Sequence, residues 1–84
     1  MGKTYNIWMS NCGDGGRTIE ANYSATSYGK AMRMYNYARD AFRDVRLTDG
    51  ETGEILLSIY SSNRYFESLT TVYSVLNTLD TLVE

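Results

Sequence analysis

Thr26-Ser27-Tyr28-Gly29-Lys30-Ala31-Met32-Arg33-Met34-Tyr35-Asn36-Tyr37-Ala38-Arg39-Asp40-Ala41-Phe42-Arg43-Asp44 runs straight into Val45-Arg46-Leu47-Thr48-Asp49-Gly50-Glu51-Thr52-Gly53-Glu54-Ile55-Leu56-Leu57-Ser58-Ile59-Tyr60, and the change of period between them decides the fold. In the first part Ala31, Met34, Tyr35, Ala38, Ala41 and Phe42 fall on one helical stripe, which predicts an amphipathic helix over residues 26 to 44. In the second, Val45-Arg46-Leu47 alternates, residues 48 to 53 carry turn chemistry, and Ile55, Leu57 and Ile59 alternate with Leu56, Ser58 and Tyr60. That is the signature of a β-hairpin.

Working outward, Ser24-Ala25-Thr26-Ser27 offers hydroxyls to the first free amides of the helix, with Thr26 or Ser27 as N-cap. Gly29 in the first turn costs about 1 kcal/mol relative to alanine and blurs the start. Upstream, Thr4 to Ser10 places Tyr5, Ile7 and Met9 on one face and Thr4, Asn6, Trp8 and Ser10 on the other. Asn11-Cys12-Gly13-Asp14-Gly15-Gly16 is a glycine-rich turn, and Arg17 to Ser24 resumes the alternation through Ile19, Ala21 and Tyr23. Downstream, Ser61-Ser62-Asn63 reads as a second helix start. Tyr65, Leu69, Val72, Leu76, Leu79 and Val83 then follow at spacings of four and three, with Phe66, Tyr73, Val75 and Leu82 widening the stripe. The β-branched residues between Thr70 and Val75 keep a strand open as the alternative there.

The order β-β-α-β-β-α predicts a single α+β domain over residues 1 to 84, a four-stranded antiparallel sheet with both helices on one face. Tyr5, Ile7, Ile19, Tyr23, Val45, Leu47, Ile55, Leu57 and Ile59 are expected to meet the helices, leaving Asn6, Trp8, Glu20, Arg46, Leu56, Ser58 and Tyr60 on the other face.

Composition removes several classes of function. With no histidine and one cysteine, the usual zinc sites, a Cys-His pair and an intrachain disulfide are all excluded. No apolar run approaches the roughly 20 residues of a membrane-spanning helix. Met1-Gly2-Lys3-Thr4-Tyr5-Asn6-Ile7 lacks the apolar centre of a secretory signal, so a cytoplasmic protein that avoids membranes is expected. The Gly13 to Gly16 run joins two strands and precedes no Gly-Lys-Ser/Thr, which makes it a turn and not a phosphate loop. Cys12 has only Lys3 or Arg17 to lower its pKa, and Asp49, Glu51 and Glu54 flank a turn without an apolar pocket. No nucleophile, base and anion stabiliser come together, so neither an enzyme nor a cofactor is expected.

Eight tyrosines and one tryptophan are the more informative signal, since both residue types supply large contact area at little rotamer cost. Trp8, Leu56 and Tyr60 on the outer sheet face, with Met32 and Tyr37 on the helix flanks, form a candidate contact patch. Charge is bipolar. Residues 28 to 46 hold five basic side chains against two acidic, and residues 47 to 84 hold one against six.

Lys3-Thr4-Tyr5-Asn6-Ile7, the glycine turn, Ser27-Tyr28-Gly29-Lys30-Ala31-Met32 and Leu47-Thr48-Asp49-Gly50-Glu51-Thr52-Gly53-Glu54-Ile55 together resemble the small proteins of bacterial phages and mobile elements, among them anti-CRISPR inhibitors. The resemblance implies a cytoplasmic, non-enzymatic protein that binds a host defence complex. Three readings follow. The first is an inhibitor of a CRISPR effector or other bacterial nucleoprotein defence complex, presenting Asp49, Glu51, Glu54 and Glu67 where that complex expects phosphates. The second is a nucleic-acid-binding accessory protein using Arg33, Arg39, Arg43 and Arg46. The third is a housekeeping homodimer joined through the outer sheet face or the last helix.

Overall fold

The computed structural model describes residues 3–11, 19–60 and 69–83. Within them the chain forms β1 (Tyr5–Ser10), β2 (Glu20–Ala25), α1 (Tyr28–Ala38), β3 (Asp44–Asp49), β4 (Ile55–Tyr60) and α2 (Leu69–Leu82). The strands make one antiparallel sheet in the order β2-β1-β3-β4, the predicted α+β architecture. Both β2 and β3 run antiparallel to the β1 strand between them, so they are parallel to each other. Such a pair needs a long crossover, and α1 provides it by packing across β1, β2 and β3. The turn predicted over Cys12 to Gly16, the Ser61-Ser62-Asn63 helix start and Glu67 lie outside the described residues.

The core follows from the period of each element. Ile7 and Met9 of β1, Val45 and Leu47 of β3, and Ala31, Met34, Tyr35 and Ala38 of α1 are buried together, joined by Val72 and Leu79 of α2. α2 packs on α1, and its Asp80 carboxylate accepts a hydrogen bond from the Tyr23 hydroxyl of β2 at 2.9 Å. Burial, and then the Asp80 carboxylate, push the Tyr23 phenol up to about 12. The stretch from Thr70 to Val75 is helical, as the stripe through Val72 and Leu79 requires.

Ser27 is the N-cap of α1, its Oγ accepting from the Lys30 amide at 3.2 Å. The helix stops at Ala38, six residues before the predicted end at Asp44. Here the amides of Asp40 and Ala41 donate to carbonyls three residues back, those of Tyr37 and Ala38, which tightens the last turn. Ala41 and Phe42 stay buried in the core beyond the helix end, and the Phe42 amide still donates to the Ala38 carbonyl at 2.9 Å. Asn11 fixes the exit, its Oδ1 accepting from the Arg43 amide at 3.2 Å while its own N–H donates to the Ile19 carbonyl at 3.0 Å.

β4 departs from strict alternation at its start. Thr48 pairs with Ile55 and Leu47 with Leu57, so Leu56 is the extra residue of a β-bulge. The bulge reverses the parity of the strand start. Ile55, expected against the helices, instead lies opposite Thr48 on the outer face and is 54% exposed.

The β3–β4 turn is built against the start of the chain. The Gly50 amide donates to the Thr4 carbonyl at 2.7 Å, and a Cβ on Gly50 would stand 2.7 Å from that same oxygen. Gly50→Ala should therefore cost about 1 to 3 kcal/mol, the usual cost of forcing extra volume into a packed contact. Gly53 sits in open space at φ +79, so Gly53→Ala should cost about 1 to 2 kcal/mol from backbone conformation alone. Paired urea titrations check both values.

Candidate protein-contact face

The strand register arranges the outer face of the sheet as three rows. Asn22, Trp8, Arg46 and Ser58 form the middle row. Ser24, Asn6, Thr48 and Ile55 flank it on one side, and Glu20, Ser10, Asp44 and Tyr60 on the other. Among the described residues no helix covers this face, because α1 and α2 lie on the other side of the sheet.

At its centre the Arg46 guanidinium stacks over the Trp8 ring, 4.8 Å from the centroid. An exposed cation–π contact of this kind contributes about 0.5 to 1 kcal/mol. Each member also bonds a carboxylate of the neighbouring row. The Trp8 indole N–H donates to Glu20 Oε2 at 2.8 Å, and Arg46 Nη2 donates to Asp44 Oδ2 at 3.2 Å. The Arg46 side chain is nevertheless 48% exposed, against 13% for Asp44. The four residues thus hold an aromatic ring and a cation in fixed register while keeping the cation open to a partner.

The other predicted residues divide among three places. Tyr60 is 58% exposed at the rim of this face, opposite Asp44, whereas the exposed Leu56 lies in the bulge towards the other end of β4. Tyr37 is on the helix layer, where it lines a shallow depression of about 320 Å³ with Arg33, Asn36 and Asp40. It does not join Trp8 and Tyr60.

The β3–β4 turn also departs from expectation. Glu51 and Glu54 are exposed, but Asp49 is buried and does not present its carboxylate with them. Asp49 Oδ1 accepts from the amides of Glu51 and Thr52 at 2.8 and 3.2 Å, and Oδ2 accepts from Lys3 Nζ at 2.9 Å. An aspartate at the end of a strand caps the following turn in this way. The lysine, followed by the two amides, holds the Asp49 carboxyl below the usual carboxylate range.

A depressed carboxyl adds stability that is complete above its unfolded value and is lost as pH falls through the lower folded value. The melting temperature should therefore fall on acidification below about pH 4. The acid limb should be shallower in Asp49→Asn. Thermal melts across the acid range check this, and identical limbs for the two proteins would remove Asp49 as the cause.

The four arginines proposed for nucleic acid do not form one surface. Arg46 is on the outer sheet face, Arg33 is on α1, Arg39 is the C-cap of α1, and Arg43 is half-buried in the connection to β3. With the helix ending at Ala38, Arg39 and Arg43 are not one helical turn apart.

Glu20 and Asp44, the carboxylates that set the geometry of the site, were not singled out by sequence reasoning. Glu20 lies diagonally from Trp8, a relation fixed by the β1–β2 register and not by spacing along the chain. Asp44 is two residues from Arg46 on the same strand face, a signal that the predicted helix end had absorbed.

The chain matches no family model, no curated protein and no solved structure.

Proposed function

We propose that this protein is a non-enzymatic binding module that engages a protein partner through the outer sheet face centred on Trp8 and Arg46. The observation that supports this reading is the stacked pair, tethered by Glu20 and Asp44 on a face that no described helix covers. Tryptophan and arginine are the residue types most enriched where binding energy concentrates. Holding both in one geometry before contact lowers the ordering cost of association. Tyr60 adds a third large side chain at the rim.

The class of partner comes from the resemblance to small phage-borne inhibitors. We take it to be a bacterial nucleoprotein defence complex of the CRISPR effector type. The exposed Glu51 and Glu54 carboxylates suit the basic grooves in which such complexes hold nucleic acid. Nucleic acid itself is the weaker reading, because Glu20 and Asp44 lie beside Arg46 on the same face and would repel phosphates.

The test is target cleavage by a panel of purified guide-loaded CRISPR effectors, with and without the protein, together with calorimetric binding to each. Inhibition or submicromolar binding of an effector supports the proposal. Unimpaired cleavage and no binding at micromolar concentration across the panel would overturn the choice of target.

A further inference from the structure

The two edges of the sheet differ in a way that bears on association. β2, at one edge, carries Glu20, Asn22 and Ser24 outward and is tied to α2 through Tyr23 and Asp80. β4, at the other, reads Ile-Leu-Leu-Ser-Ile-Tyr with no charged residue and no proline. Charge and proline are the usual means by which an edge strand is kept from pairing. Ile55, Leu56 and Tyr60 are exposed, Leu57 and Ile59 remain only half-buried, and no described residue pairs with the free edge.

We propose that β4 pairs antiparallel with β4 of a second copy of this chain, joining two sheets into one of eight strands. The strand itself specifies the register. A two-fold axis perpendicular to the sheet lets only residues on the same face oppose one another. Centring on Ser58 puts Leu57 against the partner's Ile59 twice on the inner face, and Ser58 against its own copy on the outer face. Centring on Leu57 fails, because the bulge has moved Ile55 to the outer face while Ile59, its counterpart there, remains on the inner face.

This inference is independent of the partner proposed above and extends it. Edge pairing uses backbone groups and leaves the outer faces uncovered, so a dimer would present two Trp8–Arg46 pairs side by side.

Sedimentation equilibrium of the intact chain should give a dimer mass that dissociates on dilution. Ser58→Glu should shift the mass to monomer at the same concentration. Within one copy the new carboxylate is opposite Arg46, a favourable pair, whereas across the two-fold it meets a like charge. An unchanged circular dichroism spectrum would show that the variant is folded. In a Cys12→Ser background, Ser58→Cys treated with oxidised glutathione should form a disulfide-linked dimer by thiol exchange, since directly opposed residues are about 4.5 to 5.5 Å apart at Cα. A monomer mass at all concentrations, or a Ser58→Glu protein that stays dimeric, would overturn the proposal.

Discussion

Phe42→Ala should leave this protein largely unfolded at room temperature. Phe42 is the largest fully buried side chain among the described residues and lies four residues beyond the last residue of α1, at the end of the tightened turn. Truncating a buried phenylalanine costs about 3 to 5 kcal/mol through lost transfer energy and the cavity left behind. A single hydrophobic core in a chain of this size supplies a net stability of only about 3 to 5 kcal/mol. Loss and total are therefore comparable. Phe42→Leu keeps most of the volume and should cost about 1.5 kcal/mol or less. Urea titration followed by far-ultraviolet circular dichroism separates the outcomes: a native baseline and a cooperative transition for leucine, and little or no native baseline for alanine. Were the alanine variant to keep a melting temperature within a few degrees of the parent, the tightened turn could not be what commits the end of α1 to the core.

The same turn explains why the fold was legible in the sequence and the end of its first helix was not. The switch from a helical to an alternating period across residues 26 to 60 identifies every element there, and Ser27 marks a start by its own chemistry. No glycine or proline lies between Ala38 and Asp44, so no local signal stops the helix; the stop comes from Asn11 and the core, which are remote in sequence. The bulge at Leu56 was illegible for a related reason. Within Ile55-Leu56-Leu57 all three residues are apolar, and alternation carries no information where both faces are hydrophobic. Asp49 was readable as an acid in a turn, whereas its burial depends on Lys3, 46 residues away.

Of the candidate site, alternation alone assigned Trp8 and Arg46 to one face. Their contact needed strand order. Because β2 and β3 flank β1, the two residues meet at the centre of the sheet, and Glu20 and Asp44 reach them from either side. The alternative order allowed by two sequential hairpins, with β2 beside β3, would have separated them. Sheet topology therefore converts two unrelated side chains into one surface feature.

That feature makes the second large prediction. Trp8→Ala should weaken binding to any effector the intact protein inhibits by about 30-fold or more, corresponding to the roughly 2 kcal/mol that defines a dominant contact residue. Folding should be little affected, since the ring is on the outer face and contributes nothing to the core between sheet and helices. Arg46→Ala should act in the same direction. The double variant should lose less than the two single losses combined, because removing either member already frees the other from the stack. Arg46→Lys is the sharper comparison, as it keeps the charge and removes the planar group that lies on the indole and pairs with Asp44. If charge alone governs recognition, lysine restores binding; if the stacked geometry does, lysine resembles alanine. Arg33→Ala and Tyr37→Ala, on the helix layer behind the sheet, should bind as the parent does. Loss of binding in those two, with Trp8→Ala intact, would move the contact surface from the sheet to the helices.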